Sequence, residues 1–571
     1  MRARLWQVRP SGGDPAGRLA EALGVPRVVG DLLCARGLTG EEEAARFLDP
    51  RLEHLHDPDL LTDVPRAADR LLAAVERGER IAVHGDYDVD GVAATVMLRR
   101  ALEMLGARVD HYIPDRLRDG YGLQAATVER LHGEGVRVIV SVDCGIRSDD
   151  AARTAARVGV DLIITDHHEP DRALPAAYAV VNPKRRDCTY PEKHLAGAGV
   201  ALKLTHALCR RAGRERWLPA FVKIAALGTL ADVVPLMGEN RVIAKLGLHQ
   251  LSTGRHTVGL RALLESAGLA GRTIDSYHVA FVLAPRINAA GRMSTPDLAT
   301  RLLLAADDAQ GAEARELATQ LEAENTRRQT EEAAILKAAQ RAIDADPDVG
   351  AHNLLLVDGE GWHRGVIGIV ASKLVDAYAR PAVVVSADGD LAHGSCRSIP
   401  AFDMLEALER HADLFVRFGG HRQAAGFTIE CGRVGELRRR LTQYADVALG
   451  PEDLRPRLLV DAPLSFSAIA PDLVEAVGRL APFGLANPRP VFASAGVEVV
   501  SGPNRLKERH LQMTVRHDGR LFRAVAWRAA DRADLFEANR GGLDLAFSLE
   551  LNTWRGETTV ELNVVDARPS A

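Results

Sequence analysis

The sequence predicts an α/β fold in several domains, and three observations carry that reading. Short β-branched runs alternate with helical segments from about residue 80, and the same alternation restarts at about residue 350. Residues 305–345 contain strong helix formers, one early Gly and no Pro. Beyond residue 450, short alternating apolar runs are separated by Gly and Asn turns. Strand-helix alternation implies a parallel sheet with helices on both faces, whereas short alternating strands imply a small antiparallel barrel or sandwich.

At 571 residues the chain exceeds one ordinary core, and length alone predicts roughly three or four domains. Apolar residues at 47% and charged residues at 26% give the balance of a soluble globular protein. A net charge of −5 provides no global basic field, so a nucleic-acid partner would need local Arg and Lys clusters. Six scattered cysteines without a CxxC pair support neither a disulfide framework nor a cysteine zinc site, and a reducing compartment is expected. MRARLWQVRP has no apolar leader core, and no apolar stretch approaches the ~20 residues that span a bilayer. The expectation is a cytoplasmic protein with no membrane partner.

The first alternating region reads RIAVHGD, a helix VAATVMLRRALEMLG, ARVDHYI, VRVIVSVDCG, a helix AARTAARVG, DLIITDHHE and AYAVVNP. Three of its strands end in acids or histidines, and in open parallel sheets ligands gather at the carboxyl ends of strands. Residues 305–345 read as a helix of roughly ten turns. NLLLVDG, GVIGIVASKLVDAYA and PAVVVSADG then form a second α/β domain to about residue 445, and LGPEDLRPR marks another boundary. VFASAGVEVV, HLQMTVRHDGRLFRAVAW, LDLAFSLELNTW and TTVELNVVDA supply the barrel strands.

Hard divalent cations prefer oxygen ligands, and an Asp-x-Asp pair at a strand end lets two carboxylates meet metal as the chain turns. Asp88 and Asp90 in VHGDYDVDG are the first such pair. His84 could share a metal with Asp88 and would tilt the preference toward Mn2+; a turn hydrogen bond is its alternative. An N-cap or Asx-turn can use one Asp but hardly three within five positions, so metal accounts better for Asp86, Asp88 and Asp90. Asp143 in SVDCG is a ligand or a turn acid, with Cys144 a small packed residue. In DHHE, neighbouring side chains project in different directions. His167 is therefore read as a ligand, His168 as a contact to substrate phosphate or a support behind the ligands, and Asp166 as an orienting acid. Asp232 in ALGTLADVVPL is a ligand or a helix-terminal cap.

Taken in order, HGDYDVDG, VDCG, DHH and ADVVPL resemble the four motifs of the DHH phosphoesterase superfamily. APRINAAGRM at 284–293, followed by GWHRGVIGIVASKL, GSCRSIPAFDM, FGGHRQAAGF and PFGLANPRPVF, narrows the resemblance to the RecJ family of single-strand-specific exonucleases. It runs from about residue 50 to the C-terminus. One departure is Ala486, where the pattern PFG-x-G-N-P would have a second glycine, and this bears on the local turn.

The resemblance implies a parallel-sheet DHH catalytic domain over 50–304, after an N-terminal segment 1–49 of no assigned role. A connecting helix over 305–345, a smaller α/β DHH-associated domain over 346–449 and an OB-like β-barrel over 450–571 follow. It further implies two divalent cations, Mn2+ or Mg2+. His84, Asp88 and Asp143 would hold one, and Asp90, Asp143, His167 and Asp232 the other, with Asp143 bridging. Asp86 has no fixed slot and is a candidate substitute for His84; Asp166 and His168 complete the catalytic set.

For the strand, Arg286 and Arg292 flanking Asn288 could reach phosphates, ordinary salt bridges being the alternative. Ser395 and Arg397 in GSCRS, with Gly419, Gly420 and His421 in FGGHRQAAG, offer an anion site that the resemblance assigns to the 5′ end. Residues 503–530 hold seven Arg or Lys against two acids, Arg505, Lys507 and Arg509 among them, with Phe522 and Trp527 interleaved. Barrels use such strands to track backbone and stack bases, although each ring taken singly is expected in the core.

The resemblance implies a metal-dependent 5′-to-3′ exonuclease releasing mononucleotides from single-stranded DNA in repair and recombination, with a helicase and a single-strand-binding protein as candidate partners. One alternative is a DHH-type phosphodiesterase of short RNAs or cyclic dinucleotides. The other is a noncatalytic DNA-binding scaffold, against which stands the presence of an acid or histidine at every ligand position.

Overall fold

The β-branched runs of the first region form five strands: β1 (Arg80–His84), β2 (Arg108–Tyr112), β3 (Val136–Val142), β4 (Asp161–Thr165) and β5 (Ala179–Val181). All are parallel, in the order β2-β1-β3-β4-β5. Alternate side chains point to opposite faces. Ala82, Ile139, Leu162 and Ile164 on one face pack with Val128, Leu131, Ala151 and Ala155 of the helices Ala125–Gly133 and Asp149–Val158. Ile81, Val83, Val138 and Val140 are buried on the other, where the helices Val89–Met104 and Gly197–Arg211 contact the sheet. Full burial of each such Val, Leu or Ile stabilises by about 1.5–3 kcal/mol.

The computed structural model describes residues 4–114, 122–554 and 557–570. It divides into two units, one of Trp6–Asn288, Pro296–Ala318 and Leu459–Ala571, the other of Met1–Leu5, Ala289–Thr295 and Thr319–Leu458. The long helix is Gly311–Ala345, 35 residues, and it starts later than residue 305. Gln310 Oε1 accepts the N–H groups of Ala306 and Asp307, making a separate capped turn before it. The early Gly is the first helical residue.

In the second unit β6 (Leu355–Glu360), β7 (Ala382–Asp388), β8 (Leu391–Arg397), β9 (Phe415–His421) and β10 (Ala424–Glu430) form a mixed sheet in the order β9-β10-β8-β7-β6. Only β6 and β7 are parallel, joined through the helix Ile367–Tyr378.

Five further strands of the first unit are β11 (Phe492–Leu506), β12 (His510–His517), β13 (Arg520–Ala526), β14 (Leu543–Trp554) and β15 (Glu557–Pro569). They pair as β11-β12-β13-β15-β14, and β14 returns to β11, closing a five-stranded barrel. Residues before 50 have a structural role: Leu19, Val29, Leu32, Leu33 and Phe47, on three short helices, share one core with Phe466, Phe492 and Phe547. Among the described residues no helix is long and apolar enough to cross a membrane.

Candidate metal centre

In the order β2-β1-β3 the succession of strands switches sides at β1, and an open parallel sheet gathers ligands at the carboxyl ends beside such a switch. His84 ends β1, Asp143 follows β3, and Asp166, His167 and His168 follow β4. Asp88 caps the helix Val89–Met104, its Oδ1 accepting the N–H groups of Asp90 and Gly91 at 2.9 and 3.1 Å. Asp232 is the C-cap of the helix Leu218–Ala231. The cap role and the ligand role therefore coexist in both acids.

Three sets of donor atoms, each lying within 4.8 Å of one another, converge there: Asp86, Asp88 and Asp143; Asp90, His167 and Asp232; and Asp143, His167 and His168. His167 Nε2 is 3.2 Å from Asp143 Oδ1, 3.6 Å from Asp232 Oδ2 and 4.0 Å from Asp90 Oδ2. Asp143 has φ +61°, a left-handed conformation that Asp tolerates better than most residues.

The donor set fits divalent cations. Asp143 Oδ1 and His167 Nε2 are buried without a hydrogen-bond partner among the described residues, although buried polar atoms are almost always paired. Burial, and after it Asp90, holds the Asp143 carboxyl well above the usual range; burial, and after it Asp232, does the same to Asp90. Burial and the Asp88 charge push Asp232 up to about 7. Cations would relieve that repulsion. Burial and the neighbouring His168 lower His167 to about 4, so its imidazole is neutral near pH 7, the form that ligates.

Asp166 is turned toward the backbone. Its Oδ1 accepts from the N–H groups of His167 and His168 at 2.7 and 3.1 Å and from His168 Nδ1 at 2.7 Å, and its Oδ2 accepts from Ile146 N–H at 2.9 Å. Burial is the largest influence and opposes its ionisation, but the His168 bond and charge, with the His168 and Ile146 N–H groups, together hold the carboxyl below the usual range. The same bond raises His168 against its own burial.

Asp90 is steadied by residues that carry no acid or imidazole, which residue-type reasoning passes over. Gly197 and Ala198 N–H, the first amides of the helix Gly197–Arg211, donate to its carboxylate at 2.6 and 2.9 Å. A Cβ on Gly197 would fall 2.4 Å from Asp143 Oδ1, so only glycine lets this helix approach. Gly-Ala-Gly at a helix start is the signal in the sequence.

His84 is fully buried, with Nδ1 3.6 Å from Cys144 Sγ and its ring 5.5 Å from Tyr112. It enters none of the three donor sets, and Asp86 joins Asp88 and Asp143 instead. His84 is the last strand residue and packs among the strand ends, whereas Asp86 lies in the loop beyond.

Residues 80–229 match the DHH family, N-terminal domain, 351–446 the DHHA1 domain and 460–566 the RecJ OB domain. A Bacillus subtilis (strain 168) protein named single-stranded-DNA-specific exonuclease RecJ is 37% identical over 574 residues, which cover 99% of this chain and 71% of that relative. The chain belongs to the RecJ family. The RecJ of Escherichia coli (strain K12) is 32% identical, with 95% of this chain and 96% of that protein covered. Among solved structures, RecJ from Thermus thermophilus in complex with Mn2+ matches with a TM-score of 0.85 at 34% identity, over 100% of this chain and 81% of that one.

The remaining residues that the RecJ resemblance singles out fall in three places. Asn288 Oδ1 accepts Val89 N–H at 3.1 Å, so its carbonyl braces the metal loop, and Arg286 Nη1 donates to Val282 O at 2.6 Å. In the second unit Arg292 Nη1 donates to Gly365 O at 3.0 Å, and Arg397 Nη1 to Cys396 O at 2.8 Å and Ser395 Oγ at 3.4 Å. Gly419, Gly420 and His421 are exposed on the edge strand β9.

In the barrel, Arg505, Lys507 and Arg509 are exposed around the β11–β12 turn, where Lys507 and Glu508 have φ +49° and +58°. Among the described residues these three and Arg528 form no ion pair, whereas Arg516 and Arg523 pair with Glu498 and Glu561. Phe522 is buried against Phe466 as expected. Trp527 is not in the core: it is 52% exposed, with its ring 4.8 Å from His510. It lies one residue past the end of β13, beyond the barrel interior.

Proposed function

We propose that this chain is a single-stranded-DNA-specific exonuclease that hydrolyses the strand 5′ to 3′ to mononucleotides with two divalent cations, Mn2+ or Mg2+, in DNA repair and recombination. The observation that carries the reading is Asp143, shared between the set with Asp86 and Asp88 and the set with His167 and His168. Two-metal sites, about 3.5–4 Å between ions, supply positive charge against the scissile phosphate, a lowered pKa for the attacking water and support for the leaving oxygen.

In the chain itself, Asp86, Asp88 and Asp143 would hold one cation, and Asp90, Asp143, His167 and Asp232 the other, with His84 packed behind them. Asp166 is a positioning acid: it holds His168 through Nδ1, and the other ring nitrogen, Nε2, would donate to a phosphate oxygen. The carboxylate of Asp166 raises His168 against its own burial, which favours the N–H donor form toward a phosphate. No protein nucleophile is required.

Strand binding is assigned to Arg286 and Arg292 for phosphates, with Asn288 bracing the metal loop. Ser395, Arg397, Gly419, Gly420 and His421 form an anion-binding set, and Arg505, Lys507 and Arg509 a backbone-tracking set. The proposed division is an N-terminal segment 1–49, catalytic domain 50–304, connecting segment 305–345 whose helix begins at Gly311, DHH-associated domain 346–449 and OB-like domain 450–571. Acting on DNA, the protein would work in the cytoplasm beside a helicase and a single-strand-binding protein.

The test uses end-labelled single and double strands, with and without a 5′ phosphate, incubated with Mn2+ or Mg2+. Labelled mononucleotide released first from the 5′ end of single strands is expected. Products that begin at the 3′ end overturn the polarity, and turnover confined to dinucleotides transfers the site to the short-substrate phosphodiesterases.

A further inference from the structure

The first three strands of the parallel sheet are entered in the same way. Gly-Glu-Arg at 78–80, Gly-Ala-Arg at 106–108 and Gly-Val-Arg at 135–137 lead into β1, β2 and β3, whereas β4 is entered through Gly-Val-Asp at 159–161. The four glycines have φ between +63° and +90°, and each left-handed turn carries the chain out of a helix and toward its strand. The arginine two residues later therefore stands at the amino end of the strand, on the edge of the sheet opposite the metal centre. Along β1, Arg80 and His84 are about 13 Å apart.

The strand order brings these arginines together. β1 lies between β2 and β3, and Arg80 is in register with Arg108 on one side and with Val136 on the other, neighbouring strands being ~4.8 Å apart. On β3 the register then steps from Val136 to Val138, which leaves Arg137 without an opposite residue, an irregularity of the kind that re-aims a side chain. Like charges on neighbouring strands repel, and the nearby acids compensate only in part. Asp161 and Glu79 are both held by Arg70 at 2.6 Å, Asp110 is held by Arg80 at 2.7 Å, and Arg77 reaches Glu79 at 3.5 Å. Among the described residues Arg108 and Arg137 form no ion pair; Arg137 Nη1 donates to Val136 O at 3.4 Å.

Arg77, Arg80, Arg108 and Arg137 line one cavity of about 710 Å3 together with Glu79 and Asp110. That volume lies within the ~300–1,000 Å3 of small-molecule sites. Guanidinium forks match the paired oxygens of phosphate. No aromatic ring is among the described residues that line the cavity, and Val109 is their one apolar side chain, so charge and hydrogen bonding rather than stacking would select an occupant. An anion there would relieve the repulsion among the arginines, as cations would among the acids at the other edge. We propose that the arginines at the amino ends of β1, β2 and β3 form a second binding site, for a compact phosphate anion, separate from the metal centre. The shared chemistry is the phosphate group, supplied either by an inorganic anion or by a mononucleotide. The proposal does not depend on the exonuclease reading.

The experiment titrates the full chain, in chelator, with pyrophosphate and with deoxyadenosine monophosphate by isothermal calorimetry, for the wild type, Arg108→Ala/Arg137→Ala, Asp110→Asn and Asp143→Ala. The wild type should bind at least one of the two anions, and the double variant should weaken that binding by at least ~10-fold. Asp110→Asn removes an acid from the cavity and frees Arg80, so it should tighten binding about two- to fivefold, a gain that loss of a merely structural pair does not give. Asp143→Ala should bind as the wild type does. Tighter binding of pyrophosphate than of the nucleotide assigns an inorganic anion to the site, and the reverse assigns a mononucleotide. Absence of binding by either anion overturns the proposal, as does an unchanged affinity in the double variant, an unchanged or lowered one in Asp110→Asn, or a loss in Asp143→Ala. Circular dichroism checks that the variants fold. A single-stranded oligonucleotide whose affinity falls in the double variant, while that of neither small anion does, gives the arginines to the strand and overturns the proposal as well.

Discussion

His167 Nε2 and Asp143 Oδ1 face each other at 3.2 Å, both buried and neither with a hydrogen-bond partner among the described residues. Two acceptors in that position are stable only with positive charge between them and their neighbours. Asp143→Ala should therefore abolish hydrolysis, by at least about 1,000-fold, while strand binding by fluorescence anisotropy changes little. Gly197→Ala, which drives a methyl group against Asp143 Oδ1, should weaken Mn2+ binding in calorimetry by about tenfold or more. Wild-type turnover in Asp143→Ala would sink the ligand assignment.

Metal-free stability should fall with rising pH. Asp232 is pushed from 3.8 to about 7 by burial and then Asp88, and Asp90 and Asp143 are shifted the same way. Between those values the folded state binds more protons than the unfolded chain, so stability is lost as pH rises from about 4 to 7 and stays lowered above that. With chelator, Tm should be lower at about pH 8 than at about pH 5.5, Asp232→Asn should lessen the difference, and Mn2+ should raise Tm more at the higher pH. A chelated Tm that climbs over this range would count against the repelling carboxylates.

Ala486 is left-handed, with φ +60°, at the position where the family pattern has glycine. Ala486→Gly should stabilise the protein by about 0.5–1 kcal/mol in urea unfolding. The adjacent Asn487 is fully buried, accepts from Arg36 Nε at 2.6 Å and donates to Leu480 O and Pro482 O at 2.8 Å each. Asn487→Ala should cost about 3 kcal/mol, because three groups lose their partner. A destabilised Ala486→Gly would refute the strain at this turn.

Arg505, Lys507 and Arg509 form no ion pair among the described residues, so they are available to phosphates. Replacing all three with Ala should lower single-strand affinity and reduce the slope of log K against log salt by about 2, at roughly 0.7 per phosphate contact. Trp527→Ala should weaken binding without changing the slope, since stacking releases no counterions. Equal slopes for the triple variant and wild type would remove the barrel turn from the strand's path.

Much of the fold is legible without coordinates because its signals are local. Alternation of β-branched runs with helical segments specifies the parallel sheet, and strand ends specify where acids collect. The first 50 residues are opaque for the opposite reason: what the apolar faces of three short helices pack against, Phe466, Phe492 and Phe547, lies more than 400 positions away. Trp527 and Phe522 alternate with basic residues in the same way, and only the end of β13 separates the exposed ring from the buried one.

By itself, the sequence determined the fold class, the family and which acids and histidines crowd at the strand ends, because Asp and His so placed have few other uses. Only the tertiary structure decided how those donors divide. Asp86, Asp88 and Asp90 lie within five positions, yet Asp90 joins His167 and Asp232 while Asp86 and Asp88 join Asp143. That partition depends on the helix caps at Asp88 and Asp232 and on the amides of Gly197 and Ala198. Hydrogen bonds to residues more than 100 positions away aim the Asp90 carboxylate, and spacing along the chain does not encode the direction in which it points.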